Sequence, residues 1–274
     1  MRAMSKNQIT EGVIWKQLLF FFFPILLGTL FQQLYNTADT VVVGRFVGTK
    51  ALAAVGGSTG QIVNLVVNFF VGLASGATVI IARYYGARDR IKLNNALHTA
   101  IALSIVGGIV TAVAGISLTP FLLQMMNTPA DVIEGSTMYL RIYFAGIIFV
   151  FVYNIGSGIL RAVGDSKRPL YFLIVCCFLN IFLDILFVVY LKLGVKGAAF
   201  ATVISQAVSA LLVILSLTKS VDIYRLRPNK IRFYKSLLIA IVTIGLPAGL
   251  QSVMYGISNI IIQTSLNSLG TETV

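Results

Sequence analysis

Seven long apolar stretches, broken by few polar positions, dominate the chain: residues 15–43, 52–82, 96–123, 138–160, 170–191, 195–217 and 236–266. A helix needs about 20 mainly apolar residues to cross a bilayer's hydrocarbon core. Several stretches exceed that length, which predicts tilt or protrusion. The first is no cleavable signal peptide, because its apolar run is too long and no small-residue cleavage site closes it. An all-α, polytopic membrane protein is predicted.

The connections are short except for residues 218–235, which are basic and contain Pro228. Such a segment reads as a linker between two units. The residues beyond it echo the start of the chain. Phe23-Pro24-Ile25, Leu30-Phe31-Gln32 and Gly48-Thr49-Lys50-Ala51 are answered by Leu246-Pro247-Ala248, Leu250-Gln251 and Gly270-Thr271-Glu272-Thr273. The offset is 223 residues at the proline and 222 at the glycine. A parallel internal repeat is a common transporter plan. The expected division is therefore a six-helix lobe over 1–218, a cytoplasmic linker over 219–235, and over 236–274 the first helix of a second, repeated lobe that is incomplete. On this reading the sequence is a fragment, or a truncated product, of a protein nearly twice as long.

Composition supports a lipid environment. The chain is 57% hydrophobic and 11% charged, with mean hydropathy +0.90, whereas soluble domains carry about 25% charged residues. The net charge of +12 would suit nucleic acid, but its distribution excludes that reading. Lys and Arg gather at the N-terminus (Arg2, Lys6, Lys16) and in alternate loops: Arg83, Arg88, Arg90 and Lys92; Arg161, Lys167 and Arg168; and the group from Lys219 to Lys235. The opposite loops hold only Arg45, Lys50, Lys192 and Lys196. This is positive-inside patterning, and it predicts a cytoplasmic N-terminus. Cys176 and Cys177 are helix neighbours that point apart, so no disulfide joins them. His98 stands alone and makes no metal site. The 24 glycines, in runs such as 72–76, 107–108 and 194–197, suit close helix packing in lipid. No Walker, Rossmann or kinase pattern is present.

Of nine acidic residues, only Asp39 and Asp184 lie clearly inside apolar stretches. A carboxylate in a bilayer costs about 2.5–3.5 kcal/mol on insertion scales, and such groups mark ion or proton routes. Polar neighbours share their helix faces at three- and four-residue spacing. Asn180 and Cys177 accompany Asp184, and Gln32 and Tyr35 accompany Asp39. Ala198, Thr202, Ser205 and Ser209 form a stripe in the sixth stretch; Gln61, Asn64 and Asn68 recur in the second, and Tyr139 and Asn154 in the fourth. Facing inward, these residues would line one polar cavity. Desolvation disfavours a charged carboxylate, so Asp184 could hold a proton. With the oxygens of Asn180 and Thr202 it could instead hold Na+. Competition between an ion and a cationic substrate for one charge is a workable basis for antiport.

Several segments resemble the multidrug and toxic compound extrusion (MATE) family: Gln33-Leu34-Tyr35-Asn36-Thr37-Ala38-Asp39 with Val43-Gly44-Arg45, Ala51-Leu52-Ala53-Ala54-Val55-Gly56, and Ala82-Arg83-Tyr84-Tyr85-Gly86-Ala87. The most specific is Leu160-Arg161-Ala162-Val163-Gly164-Asp165-Ser166-Lys167-Arg168-Pro169, and Gly194-Val195-Lys196-Gly197-Ala198-Ala199-Phe200-Ala201-Thr202 opens the sixth stretch. The resemblance implies twelve helices in two six-helix lobes and export of cationic, lipophilic drugs or metabolites in exchange for H+ or Na+. It implies the bacterial inner membrane, no cofactor beyond the coupling ion, no nucleic-acid partner and a monomeric full-length protein. The DNA-damage-inducible F-like branch implies ion coupling at Asp39, Asn180, Asp184 and Thr202, with Gln32, Tyr35, Tyr139 and Asn154 around them and the Ala198 carbonyl as a Na+ ligand. Pro24 and Pro247 are expected bend points. The rivals are a flippase for lipid-linked precursors, an inactive fragment and a membrane enzyme. The flippase should have a strongly cationic cavity, and Arg141 is the one basic residue read deep in a stretch. The enzyme would need a nucleophile–base pair or metal cluster, which the sequence does not offer.

Overall fold

The computed structural model describes residues 13–220 and 223–267. Arg2, Lys6, Glu11, Asp222 and the Gly270–Thr273 echo lie outside them. The described chain is helical: α1 (Ile14–Phe46), α2 (Thr49–Gly56), α3 (Ser58–Gly86), α4 (Arg90–Met125), α5 (Ile133–Ala145), α6 (Ile147–Ala162), α7 (Lys167–Asp184), α8 (Val195–Thr218) and α9 (Lys235–Asn267). Among the described residues, six helices are long and apolar enough to cross a membrane, and α5 with α6 makes a seventh span. These coincide with the seven apolar stretches.

Glycine modifies the predicted spans. The second breaks at Gly57, where the backbone leaves the helical region between α2 and α3. The fourth is not one straight helix, because α5 and α6 meet at Gly146 with a 50° bend. A Cβ at Gly146 would collide with Val203 of α8, so α8 passes close to the bend. The fifth ends in a π-helical turn, Ile185–Tyr190, directly after Asp184. π segments are rare and frequent at functional sites. Pro24 and Pro247 each lie inside a continuous helix, α1 and α9.

The specific motif between α6 and α7 builds a turn. Gly164 has φ 93°, a conformation that side-chain-bearing residues avoid. The Asp165 carboxylate accepts from the Arg168 amide (3.1 Å) and pairs with Arg168 Nε (3.0 Å), tying down the first turn of α7. At α4, Asp89 accepts from the Lys92 amide (3.0 Å). That bond and the neighbouring ammonium hold its carboxyl below the usual range.

A main cluster of buried residues joins α3, α4, α6 and α8, with Ile81, Leu97, Leu160 and Leu217 at its centre. It includes Tyr224 and Leu226, so the segment expected to be a linker is docked on the bundle. His98 fastens it. Its Nδ1 donates to the Asn94 carbonyl (2.7 Å) and its Nε2 accepts from the Arg227 amide (3.0 Å). Thr99 Oγ1 accepts from the Tyr234 amide (3.2 Å). Removing one partner of a buried hydrogen bond costs about 1–3 kcal/mol. His98→Ala is therefore expected to lower the melting temperature in detergent and to quicken proteolysis within 219–234; unchanged cleavage would show that the docking rests on Tyr224 and Leu226 alone.

The longest contact is between α3 and α9, which cross antiparallel with glycine facing glycine. A Cβ on Gly72 would stand 2.5 Å from the Gly249 backbone, and one on Gly76 would overlap the Ile241 carbonyl. Without side chains at these points the two backbones touch directly, the arrangement that drives helix association in lipid.

Candidate functional site

A cavity of about 180 Å³ lies between α1, α3, α6 and α7, closed by Tyr143 of α5 and Gln206 of α8. The main contact of α1 is with α7 and that of α3 with α9, and α1 and α3 scarcely touch, which leaves the cavity an opening between them. The exposed amides of Gln32, Asn36 and Asn64 stand at that opening. Val63, Val67, Val150, Leu170 and Leu173 supply apolar wall.

Of the residues predicted to line a cavity, Gln32, Tyr35, Asn64 and Asn154 do so. Gln61, Asn68 and Tyr139 do not. At 100° per residue, Gln61 and Asn68 fall beyond Asn64, between the lining face of α3 and the face that carries α9. Tyr139 is buried behind Tyr143, their rings stacked at 6.2 Å. The sequence reading misses Tyr143, Tyr153, Arg161, Ser166 and Gln206. Gln206 lies four residues after Thr202, so its signal is present in the stripe on α8. Arg161 reads in the sequence as a loop charge, and the expectation that Arg141 is the one basic residue deep in the bundle is corrected accordingly. Arg141 lines a separate surface groove between α4 and α5.

The predicted ion-coupling residues are buried beyond the cavity wall. Asp39 is 8% exposed, Thr202 is 2%, and Asn180, Asp184 and Ala198 are 0%. The i, i+4 spacing puts Asn180 and Asp184 on one face of α7. Neither side-chain oxygen of Asp184, and neither polar atom of the Asn180 amide, has a hydrogen-bond partner among the described residues. One oxygen of Asp39 shares that condition. Asp39 lies close enough for its charge to act on Asp184. Tyr35, on the cavity wall, and Tyr139, behind it, both lie near Asp39, Tyr35 reaching Gln206 and Tyr139 reaching Thr202. The Thr202 hydroxyl donates to the Ala198 carbonyl (3.0 Å), which leaves acceptor lone pairs on the hydroxyl oxygen. Buried polar groups are almost always paired, and each unpaired one costs about 1–3 kcal/mol. The donor set is all oxygen plus one amide, which suits a proton or a hard cation.

A bundle of membrane-length helices around a polar cavity, with two carboxylates buried behind its wall, defines a polytopic membrane protein. The MatE family model matches residues 24–186, and the chain belongs to this family. It is 33% identical to the probable multidrug resistance protein YpnP of Bacillus subtilis over 99% of its own length and 60% of that protein's. Among solved structures it superposes on an outward-facing multidrug resistance MATE family transporter with a TM-score of 0.86 at 28% identity, covering 94% of this chain and 57% of that one. An inward-facing structure of such a transporter gives 0.82 at 29% identity, covering 88% and 55%. The chain thus spans about 60% of the length of the curated relatives it matches.

Proposed function

We propose that the chain is the first lobe, with the opening helix of the second, of a secondary antiporter that exports cationic, lipophilic drugs or metabolites in exchange for H+ or Na+. The observation that carries this reading is the cluster at Asp184 and Asn180, fully buried and without internal partners. Such a cluster is costly unless something binds there, and a proton or Na+ is what its chemistry accepts. Asp184 is the principal coupling group; Asp39 shares or modulates the charge; Asn180, Thr202 and the Ala198 carbonyl supply oxygens for Na+. Tyr35 and Gln206 connect this cluster to the cavity, so ion and substrate compete through one network.

The relatives' names as multidrug resistance and export proteins support drug efflux. The likeness of the same bundle to both outward- and inward-facing structures supports a lobe that rocks largely as a body against its partner. The basic groups Arg83–Lys92, Arg161–Arg168 and the one that follows α8 gather at the ends of helices that share one end of the bundle with the start of α1, which supports a cytoplasmic N-terminus in the inner membrane.

The test is dye efflux by everted vesicles carrying the full-length two-lobed protein under imposed proton or sodium gradients. Efflux driven by one gradient is expected, and that gradient names the ion. No efflux under either gradient would overturn the antiport reading.

A further inference from the structure

The cavity has one charged lining side chain, and it is a cation. Arg161 sits in the last turn of α6, half-buried, where Ser166 and Tyr153 also meet the cavity. Its neighbours in the same basic motif behave differently: Lys167 and Arg168 are exposed, as charges facing an aqueous boundary should be. Arg161 turns inward instead. No carboxylate among the described residues pairs with it. Asp165, the nearest in sequence, is engaged by Arg168 at 3.0 Å. Asp39 and Asp184 lie behind the wall rather than on it. The Tyr153 hydroxyl beside the guanidinium donates to the Pro169 carbonyl (3.3 Å). An inward guanidinium without a counter-charge is costly, and its planar fork matches a carboxylate in bidentate fashion.

The cavity is also polarised along its length. Gly28 of α1 lies against Leu170 and Leu173, at the end near Arg161 and Ser166. Tyr35 and Gln206 meet at the other end, with Asp39 beyond them. From Asn154 to Arg161 along α6 is about 10 Å, with apolar wall from Leu170 and Leu173 nearby. A positive end, an apolar middle and a carboxylate-flanked far end complement a zwitterionic amphiphile, not a plain cation.

We propose that Arg161 is the anion-recognising group of this cavity, pairing with the carboxylate of those substrates that carry one. This rests on the efflux reading above and narrows its substrate class. The experiment uses the full-length protein in proteoliposomes and two probes that differ in one group: rhodamine B, with a free carboxylate, and its ethyl ester, a cation of nearly the same shape. Loss of one charge-assisted pair corresponds to about tenfold in affinity. Arg161→Gln is expected to raise KM for rhodamine B about tenfold while moving that of the ester by less than twofold; Arg161→Lys, which keeps the charge without the fork, should fall between. Equal losses for both probes would make Arg161 a structural residue, and no loss for either would remove it from recognition; each overturns the inference while leaving efflux intact. If the wild type moves neither dye, the efflux reading fails. Fluorescence polarisation of the two dyes on the purified protein then decides the inference separately, with preferential binding of the acid, lost in Arg161→Gln, as the supporting result and equal binding as the refuting one.

Discussion

Replacing Asp184 with asparagine is expected to reduce gradient-driven dye efflux by the full-length protein to the level of vesicles that lack it, while the protein stays folded. Asparagine matches aspartate in size, so the packing of α7 against α8 and the π turn at 185–190 should persist. What disappears is the capacity to alternate between charged and neutral forms, on which the proposed coupling depends. The carboxylate is 0% exposed and lacks internal partners, so its charge is a burden on the folded state. The variant's melting temperature in detergent without added Na+ should therefore equal or exceed that of wild type. This second readout separates lost coupling from lost folding. Asp39→Asn should cause a smaller loss, because Asp39 acts through its charge on the same cluster. Efflux by Asp184→Asn at the wild-type rate would place coupling in the second lobe.

Gly76→Leu is expected to be the most damaging single change in the α3–α9 contact. The seam has no slack, since a Cβ at Gly76 would already overlap the Ile241 carbonyl and crowd the Gly245 backbone. The obstruction is main chain, which cannot swing aside as a flexible side chain can. Overpacking a tight interior costs about 1–3 kcal/mol, occasionally more, and here the alternative is to separate two helices along their longest contact. The variant should show a lower melting temperature and increased proteolysis around 219–234. Gly86→Ala serves as the control: it lies in the same helix, a Cβ there meets nothing within 4 Å, and alanine favours helix over glycine by up to about 1 kcal/mol. Equal behaviour of the two variants would show that the seam contributes nothing to stability.

The seven spans, the buried carboxylates and much of the cavity wall are legible in the chain because lipid imposes a simple rule. A span must be long and apolar, and any polar group inside it must face something other than lipid. That rule singles out Asp39, Asp184, Asn180 and Thr202, and all are buried as an inward face requires. Helix periodicity then places Gln32, Tyr35, Asn64 and Asn154 correctly. It fails for Gln61 and Asn68, because a rotation of about 60° decides whether a residue lines a cavity or stands beside it, and for Tyr139, because it shares a helix face with Tyr143 but stands one turn away, behind that ring. The pattern of one helix does not state its rotation against the others.

Other features depend on where helices meet. The bend at Gly146 stands against Val203 of α8, the docked segment at 223–234 is held in part by His98 of α4, and the tight seam joins glycines far apart in the chain. None of these partners is adjacent in sequence. Arg161 is the sharpest case. In the sequence it is one basic residue in a basic turn; only the tertiary structure turns it away from Lys167 and Arg168 and into the cavity. What the chain determines alone is which residues lipid will not tolerate on the outside; which of those residues meet is decided by the packing of helices whose rotations are set by contacts between distant segments.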